Sequence, residues 1–102
     1  MAEIVVAVDG SSVRASLGDR IVVRLPENAS TGYQWTVSGL DASLAVESNR
    51  LELPDPLLPG APSTRVVRLR PTAPGRAVIS LQLKRRWEHE PVERFSAEVV
   101  VA

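Results

Sequence analysis

The chain has 102 residues, with 12 basic against 12 acidic side chains, 44% hydrophobic residues, one histidine and no cysteine, a balance suited to one domain, residues 1–102, around one apolar core. The missing cysteine excludes disulfide frameworks, thiolate zinc sites and thiol nucleophiles, and a lone His89 leaves no second nitrogen ligand for a metal. Charge is balanced overall but uneven locally, since residues 56 to 87 carry Arg65, Arg68, Arg70, Arg76, Lys84, Arg85 and Arg86 and no acid.

Period-two alternation and β-branched residues recur at short intervals, separated by Gly, Pro, Asp and Ser. Glu3 to Val8 is an apolar run that ends in Asp9-Gly10, a strong hairpin signal, so Ser12 to Ser16 is expected to fold back on it. Gly18-Asp19 turns the chain into Arg20 to Leu25, where Ile21, Val23 and Leu25 share one face and Val22 and Arg24 the other. Tyr33 to Val37 places Tyr33, Trp35 and Val37 together, and a further strand is expected between Ala45 and Leu53. Thr64 to Arg70 turns Val67 and Leu69 inward if Arg68 and Arg70 meet water. Arg76 to Lys84 aligns Ala77, Ile79, Leu81 and Leu83, and Arg94 to Val101 aligns Phe95, Ala97, Val99 and Val101. No segment shows a 3.6-residue period between caps. The expected fold is all-β, an immunoglobulin-like β-sandwich of about seven to eight antiparallel strands.

Strands that traverse a sandwich in alternating directions gather alternate connections at one end. Pro26 to Gly32, Pro54 to Ser63 and Arg85 to Glu93 therefore meet at the same edge, whereas Ser38 to Ser43 and Pro71 to Gly75, both small or turn-like, lie at the other. Three loops held by a rigid scaffold make a binding edge. In the first, Asn28, Ser30 and Thr31 are suited to bonding their own backbone, and Gly32 permits positive φ.

These loops resemble the motifs of the chagasin family of cysteine-protease inhibitors. Asn28-Ala29-Ser30-Thr31-Gly32-Tyr33-Gln34-Trp35 is similar to that family's Asn-Pro-Thr-Thr-Gly followed by an aromatic, one residue and Trp. Arg85-Arg86-Trp87 stands where the family has Arg-Pro-Trp or Arg-Pro-Phe, with arginine in place of proline. Leu57 to Thr64 keeps one glycine, Gly60, of a Gly-X-Gly-Gly motif and gains prolines. The likeness runs roughly from Leu17 to Val101. It implies a sandwich without disulfides that inhibits papain-like cysteine proteases reversibly and tightly, by occluding the active-site cleft. The implied contacts are Asn28, Ala29, Ser30, Thr31 and Gly32 in the first loop, Gly60, Ala61, Pro62 and Ser63 in the second, and Arg85, Arg86 and Trp87 in the third. Thr31 would lie nearest the protease thiol.

An inward Arg85 would be a costly buried charge, so alternation should stop before it and parity does not place Trp87; the resemblance implies an exposed anchor rather than a cap on the core. Glu88-His89-Glu90 places its side chains on opposite faces of an extended segment and makes no metal site. The chain offers no nucleophile with its base, so no catalytic residue, cofactor or metal is assigned. The alternative is a non-inhibitory recognition or adhesion module using the same loop edge. A nucleic-acid binder built on the basic segment ranks lower, since zero net charge argues against general nucleic-acid affinity. The expected partner is a protease, with no small-molecule substrate, nucleic acid or membrane, and the chain is expected to be a monomer. No basic region precedes a long apolar run, so a signal peptide is not expected and a cytoplasmic or trimmed exported chain is.

Overall fold

The computed structural model describes residues 2–54 and 61–102, and among these eight strands form two four-stranded sheets. The strands are β1 (Glu3–Val6), β2 (Ser11–Ala15), β3 (Arg20–Glu27), β4 (Gln34–Leu40), β5 (Leu44–Glu52), β6 (Ser63–Pro71), β7 (Gly75–Lys84) and β8 (Glu93–Val101). One sheet has the order β1-β3-β6-β5 and the other β2-β8-β7-β4. The alternation that defines the strands also defines the core. Ile21, Val23 and Leu25 of β3, Val67 and Leu69 of β6, Ala77, Ile79 and Leu81 of β7, and Phe95, Ala97, Val99 and Val101 of β8 are all buried between the sheets, with Trp35 closing the loop end.

The expected hairpin at Asp9-Gly10 does not form. β1 runs parallel to β3, and β2 runs parallel to β8 in the opposite sheet. Gly10 does adopt positive φ and Ser11 N–H does close a turn on Val8 O, but Asp9 Oδ1 accepts Ser96 N–H at 2.9 Å and Gly10 N–H donates to Ser96 O at 2.8 Å. The turn is thereby fastened to β8 and hands the chain across the sandwich. Each of the two short strands covers an edge of a sheet instead of pairing with the other, so two of the pairings are parallel rather than antiparallel.

Val22 and Val66 lie on the outer face of the first sheet and are nonetheless buried. Val22 faces Arg68, and Val66 faces Arg24 and Arg50. Arginine stems laid across a sheet cover apolar surface while their heads reach water. Those heads are tied down by Arg20–Glu47, Arg24–Glu52, Arg68–Glu3 and Arg70–Glu47 pairs. Together with Arg65–Glu27 and Arg76–Glu98, these contacts neutralise much of the basic segment. It is not a continuous cationic face.

The loop positions follow from register. Glu27, Ser63 and Glu52 adjoin at one end of the first sheet, and Gln34, Lys84 and Glu93 at one end of the second. Trp35 N–H donates to Glu27 Oε1 at 2.7 Å, which joins these two ends. At the other end Asp41 Oδ2 accepts Val78 N–H, and Thr72 bonds Ser43 O and Ala42 O, so those connections are pinned close to the sheets.

Candidate binding edge

The base of the edge is a buried ion pair. Glu27, the last residue of β3, has the inward parity of Ile21, Val23 and Leu25 and is 3% exposed. A carboxylate in that position needs its lone pairs filled. Oε1 accepts Trp35 N–H and Arg65 Nε at 3.1 Å, and Oε2 accepts Arg65 Nη2 at 2.7 Å. Arg65 also donates to Asn49 Oδ1, and Trp35 Nε1 donates to Pro26 O at 3.0 Å. One carboxylate therefore holds β3, β4 and β6 where the first loop leaves the sandwich. No buried side-chain nitrogen or oxygen among the described residues lacks a partner.

On that base, Asn28 organises the first loop. Its Oδ1 accepts Ser30 N–H at 3.1 Å and Ser30 Oγ–H at 2.7 Å, and its carbonyl accepts Thr31 Oγ1–H at 2.9 Å. The result is a single 3₁₀ turn, Ala29–Thr31, after which Gly32 at φ 80° redirects the chain into β4. A β-carbon at that φ is strained, which is why glycine occupies the position. Asn28, Ser30, Thr31 and Gly32 are all exposed. The loop bonds to itself and leaves its outer surface open.

The third connection is a tight turn. Alternation does stop at Lys84, the end of β7, so Arg85 is not forced into the core. Glu88 N–H donates to Arg85 O at 3.0 Å, and Arg85 N–H donates back to Glu88 Oε1 at 3.1 Å. With no positive φ at a non-glycine residue, Arg85 to Glu88 is a type I turn. Arg86 and Trp87 occupy its two corners, and Trp87 is 72% exposed. Lys84 Nζ donates to Glu88 O, and Val92 N–H closes the connection on Leu83 O.

Arg85 binds this turn to the first loop. Its Nε donates to Thr31 O at 3.1 Å, and its guanidinium lies 4.4 Å from the Tyr33 ring centroid, within cation–π range. Arg85 Cγ would stand 3.9 Å from a β-carbon at Gly32. Between the two loops Gly32, Gln34, Arg86 and Trp87 line an open groove of about 260 Å³.

The second connection is placed differently. Gly60 lies outside the described residues. Pro62 is exposed and Ala61 half-buried, but Ser63 is 7% exposed as the first residue of β6, paired with Glu27. Ser63, expected among the contacts, is a strand residue that supports the edge from beneath. Two contributors were not foreseen: Glu27, whose acid in an otherwise apolar inward register was the available signal, and Tyr33, whose ring receives Arg85. Among the described residues no group of His, Asp and Glu is arranged to hold a metal, and no helix is long and apolar enough to cross a membrane.

Comparison with known proteins gives a consistent result. The profile of the chagasin family peptidase inhibitors, I42, matches residues 14–99. Amoebiasin-2 of Entamoeba histolytica is 30% identical over 97 residues, covering 91% of this chain and 79% of that protein. The crystal structure of the cysteine protease inhibitor EhICP2 from Entamoeba histolytica superposes with a TM-score of 0.85 at 25% identity, over 99% of this chain and 96% of that one. The fold is also that of PbICP-C, solved in complex with falcipain-2, with a TM-score of 0.63 at 16% identity over 98% and 88% of the two chains.

Proposed function

The chain belongs to the chagasin family of peptidase inhibitors, and from that membership we propose that its Asn28–Gly32 loop and Arg85–Trp87 turn enter the active-site cleft of papain-like cysteine proteases and block it without being cut. It is an inhibitor and not an enzyme. The observation that carries the site assignment is the Arg85 bridge, which joins Thr31 O to the turn bearing Trp87. Two loops held together before contact lose little further freedom on binding, and such preorganisation raises affinity without added area. The same bracing resists cleavage. Asn28 and Thr31 side chains fix the peptide groups of the first loop, so they do not relax into the near-attack geometry that a thiolate requires. Trp87 supplies the large exposed aromatic typical of binding hot spots.

Asn28, Ala29, Ser30, Thr31 and Gly32 form the wedge in this reading, and Arg85, Arg86 and Trp87 form one flank. Ala61 and Pro62 form the other. The test is titration of a panel of papain-like enzymes with the purified chain. Stoichiometric, reversible, substrate-competitive inhibition, with the chain recovered intact after prolonged incubation, is the expected result. Fragments cut beside Thr31, or no inhibition anywhere in the panel, would overturn it.

A further inference from the structure

Arg86 is the residue of this edge whose chemistry the fold leaves unused. Of the basic residues from 65 to 86, Arg65, Arg68, Arg70 and Arg76 pair with carboxylates, Lys84 donates to Glu88 O, and Arg85 is engaged by Thr31 O and Tyr33. Arg86 takes part in none of the ion pairs among the described residues, and it is exposed at a turn corner where its backbone is fixed. The acids nearest in sequence are committed elsewhere, Glu88 to the amide of Arg85 and Glu90 to Arg94. Arg86 also lines the groove between the loops, with the exposed Gln34, the bare backbone of Gly32 and the Trp87 ring.

We propose that this groove is a carboxylate subsite: Arg86 makes the inhibitor selective for proteases that carry an aspartate or glutamate side chain on the cleft wall beside the surface that receives Trp87. The proposal rests on the protease-binding reading of the edge. A planar guanidinium recognises a carboxylate through two parallel hydrogen bonds, and Gln34 offers an amide donor at the same groove. Gly32 presents no side chain to obstruct entry, and a protease surface seated on the exposed Trp87 would exclude water from the contact and so strengthen it. A nucleic-acid phosphate backbone fits less well, because it needs a track of free cations and, among the described residues, this groove presents Arg86 alone. Arginine also stands where the resembling motif has proline, a residue that suits the first corner of a type I turn but offers no charge. The substitution exchanges backbone stiffness for a recognition group.

The experiment compares wild type with Arg86→Ala, Arg86→Glu and Arg86→Pro against a panel of papain-like enzymes at low and high salt, reading inhibition constants, association rates and melting temperatures. For an enzyme with an acidic wall, Arg86→Ala should weaken inhibition about tenfold and Arg86→Glu about a hundredfold, through faster dissociation as the paired hydrogen bonds are lost and through slower association, the association part shrinking at high salt. Arg86→Pro should lose as much as Arg86→Ala without a lower melting temperature, which assigns the loss to charge rather than to turn shape. Enzymes with neutral walls should barely distinguish the four proteins, and enzymes with basic walls should be inhibited better by Arg86→Glu than by wild type. If wild type inhibits but every variant stays within about twofold of it at both salts, the carboxylate subsite is wrong while the inhibitory function stands. If wild type inhibits no enzyme, the functional reading itself fails and takes the subsite with it.

Discussion

Glu27 and Trp87 carry opposite kinds of energy, and single substitutions separate them. Glu27 is buried with three donors converging on it, so Glu27→Ala leaves the guanidinium of Arg65 without its counterion. A broken buried pair typically costs ~3 to 5 kcal/mol, and removing both charges costs much less. Denaturant unfolding should show a loss of that size for Glu27→Ala and recovery of a large part of it in Glu27→Leu/Arg65→Met. A double variant as unstable as the single one would mean that the Trp35 amide, and not Arg65, is the partner that matters. The two tryptophans make the complementary pair. Trp87→Ala should weaken protease binding by ~2 kcal/mol with an almost unchanged melting temperature, as for an exposed anchor. Trp35→Ala should cost ~3 to 5 kcal/mol of stability, because Trp35 is 2% exposed and closes the core. Calorimetry together with inhibition titrations reads both.

The first and third loops form one edge because their elements end in register, and the second is described there only through its last residues. The first is held by Asn28 and Thr31, the third by the reciprocal Arg85–Glu88 bonds, and Arg85 joins the two. The second meets them through Ser63 and Glu27 in the sheet below. Pro62, exposed just before β6, has a fixed φ and no N–H to offer a cleft wall. Pro62→Gly, with the buried Ser63 left in place, should therefore tighten inhibition about threefold through slower dissociation. The greater freedom of the unfolded chain should meanwhile lower stability by ~0.4 to 1 kcal/mol. Equal or weaker inhibition would show that stiffness in this loop outweighs lost backbone pairing.

At the scale of the molecule, the sandwich is closed at its start by Asp19. Its carboxylate accepts Ala2 N–H and Ser16 N–H, both at 2.8 Å, fastening the entry of β1 beside β3 and the exit of β2. The bond from Ser16, then that from Ala2, holds its pKa below the ordinary 3.8. A carboxyl whose folded pKa is depressed stabilises the fold above its unfolded value, and that contribution is lost as pH falls through the folded one. Asp19→Asn should accordingly melt at a lower temperature near neutral pH, and the gap should close in acid below 3.8. A gap that persists unchanged in strong acid would show that the charge is not what holds the terminus.

The sequence by itself determined what depends on neighbours along the chain. Local pattern placed the strands, and alternation gave most of the inward faces from β3 onward, since side-chain direction in a strand has a period of two. The Asn28–Gly32 loop was legible because its bonds span two or three residues. Tertiary structure decided what depends on residues distant in sequence. Asp9-Gly10 reads locally as a hairpin, yet its bonds to Ser96 send β2 to the other sheet. Val22 and Val66 have the parity of the outer face yet are buried, with arginines of neighbouring strands opposite them in register. A run of seven cations reads as a basic surface, whereas partners as remote as Glu3 and Glu27 neutralise most of it. Arg85 and Arg86 read alike, but one is engaged by Thr31 and Tyr33, 54 and 52 positions earlier, while the other takes part in no ion pair among the described residues. Local pattern specifies which way a side chain points, and only the assembled sheets specify what it meets there.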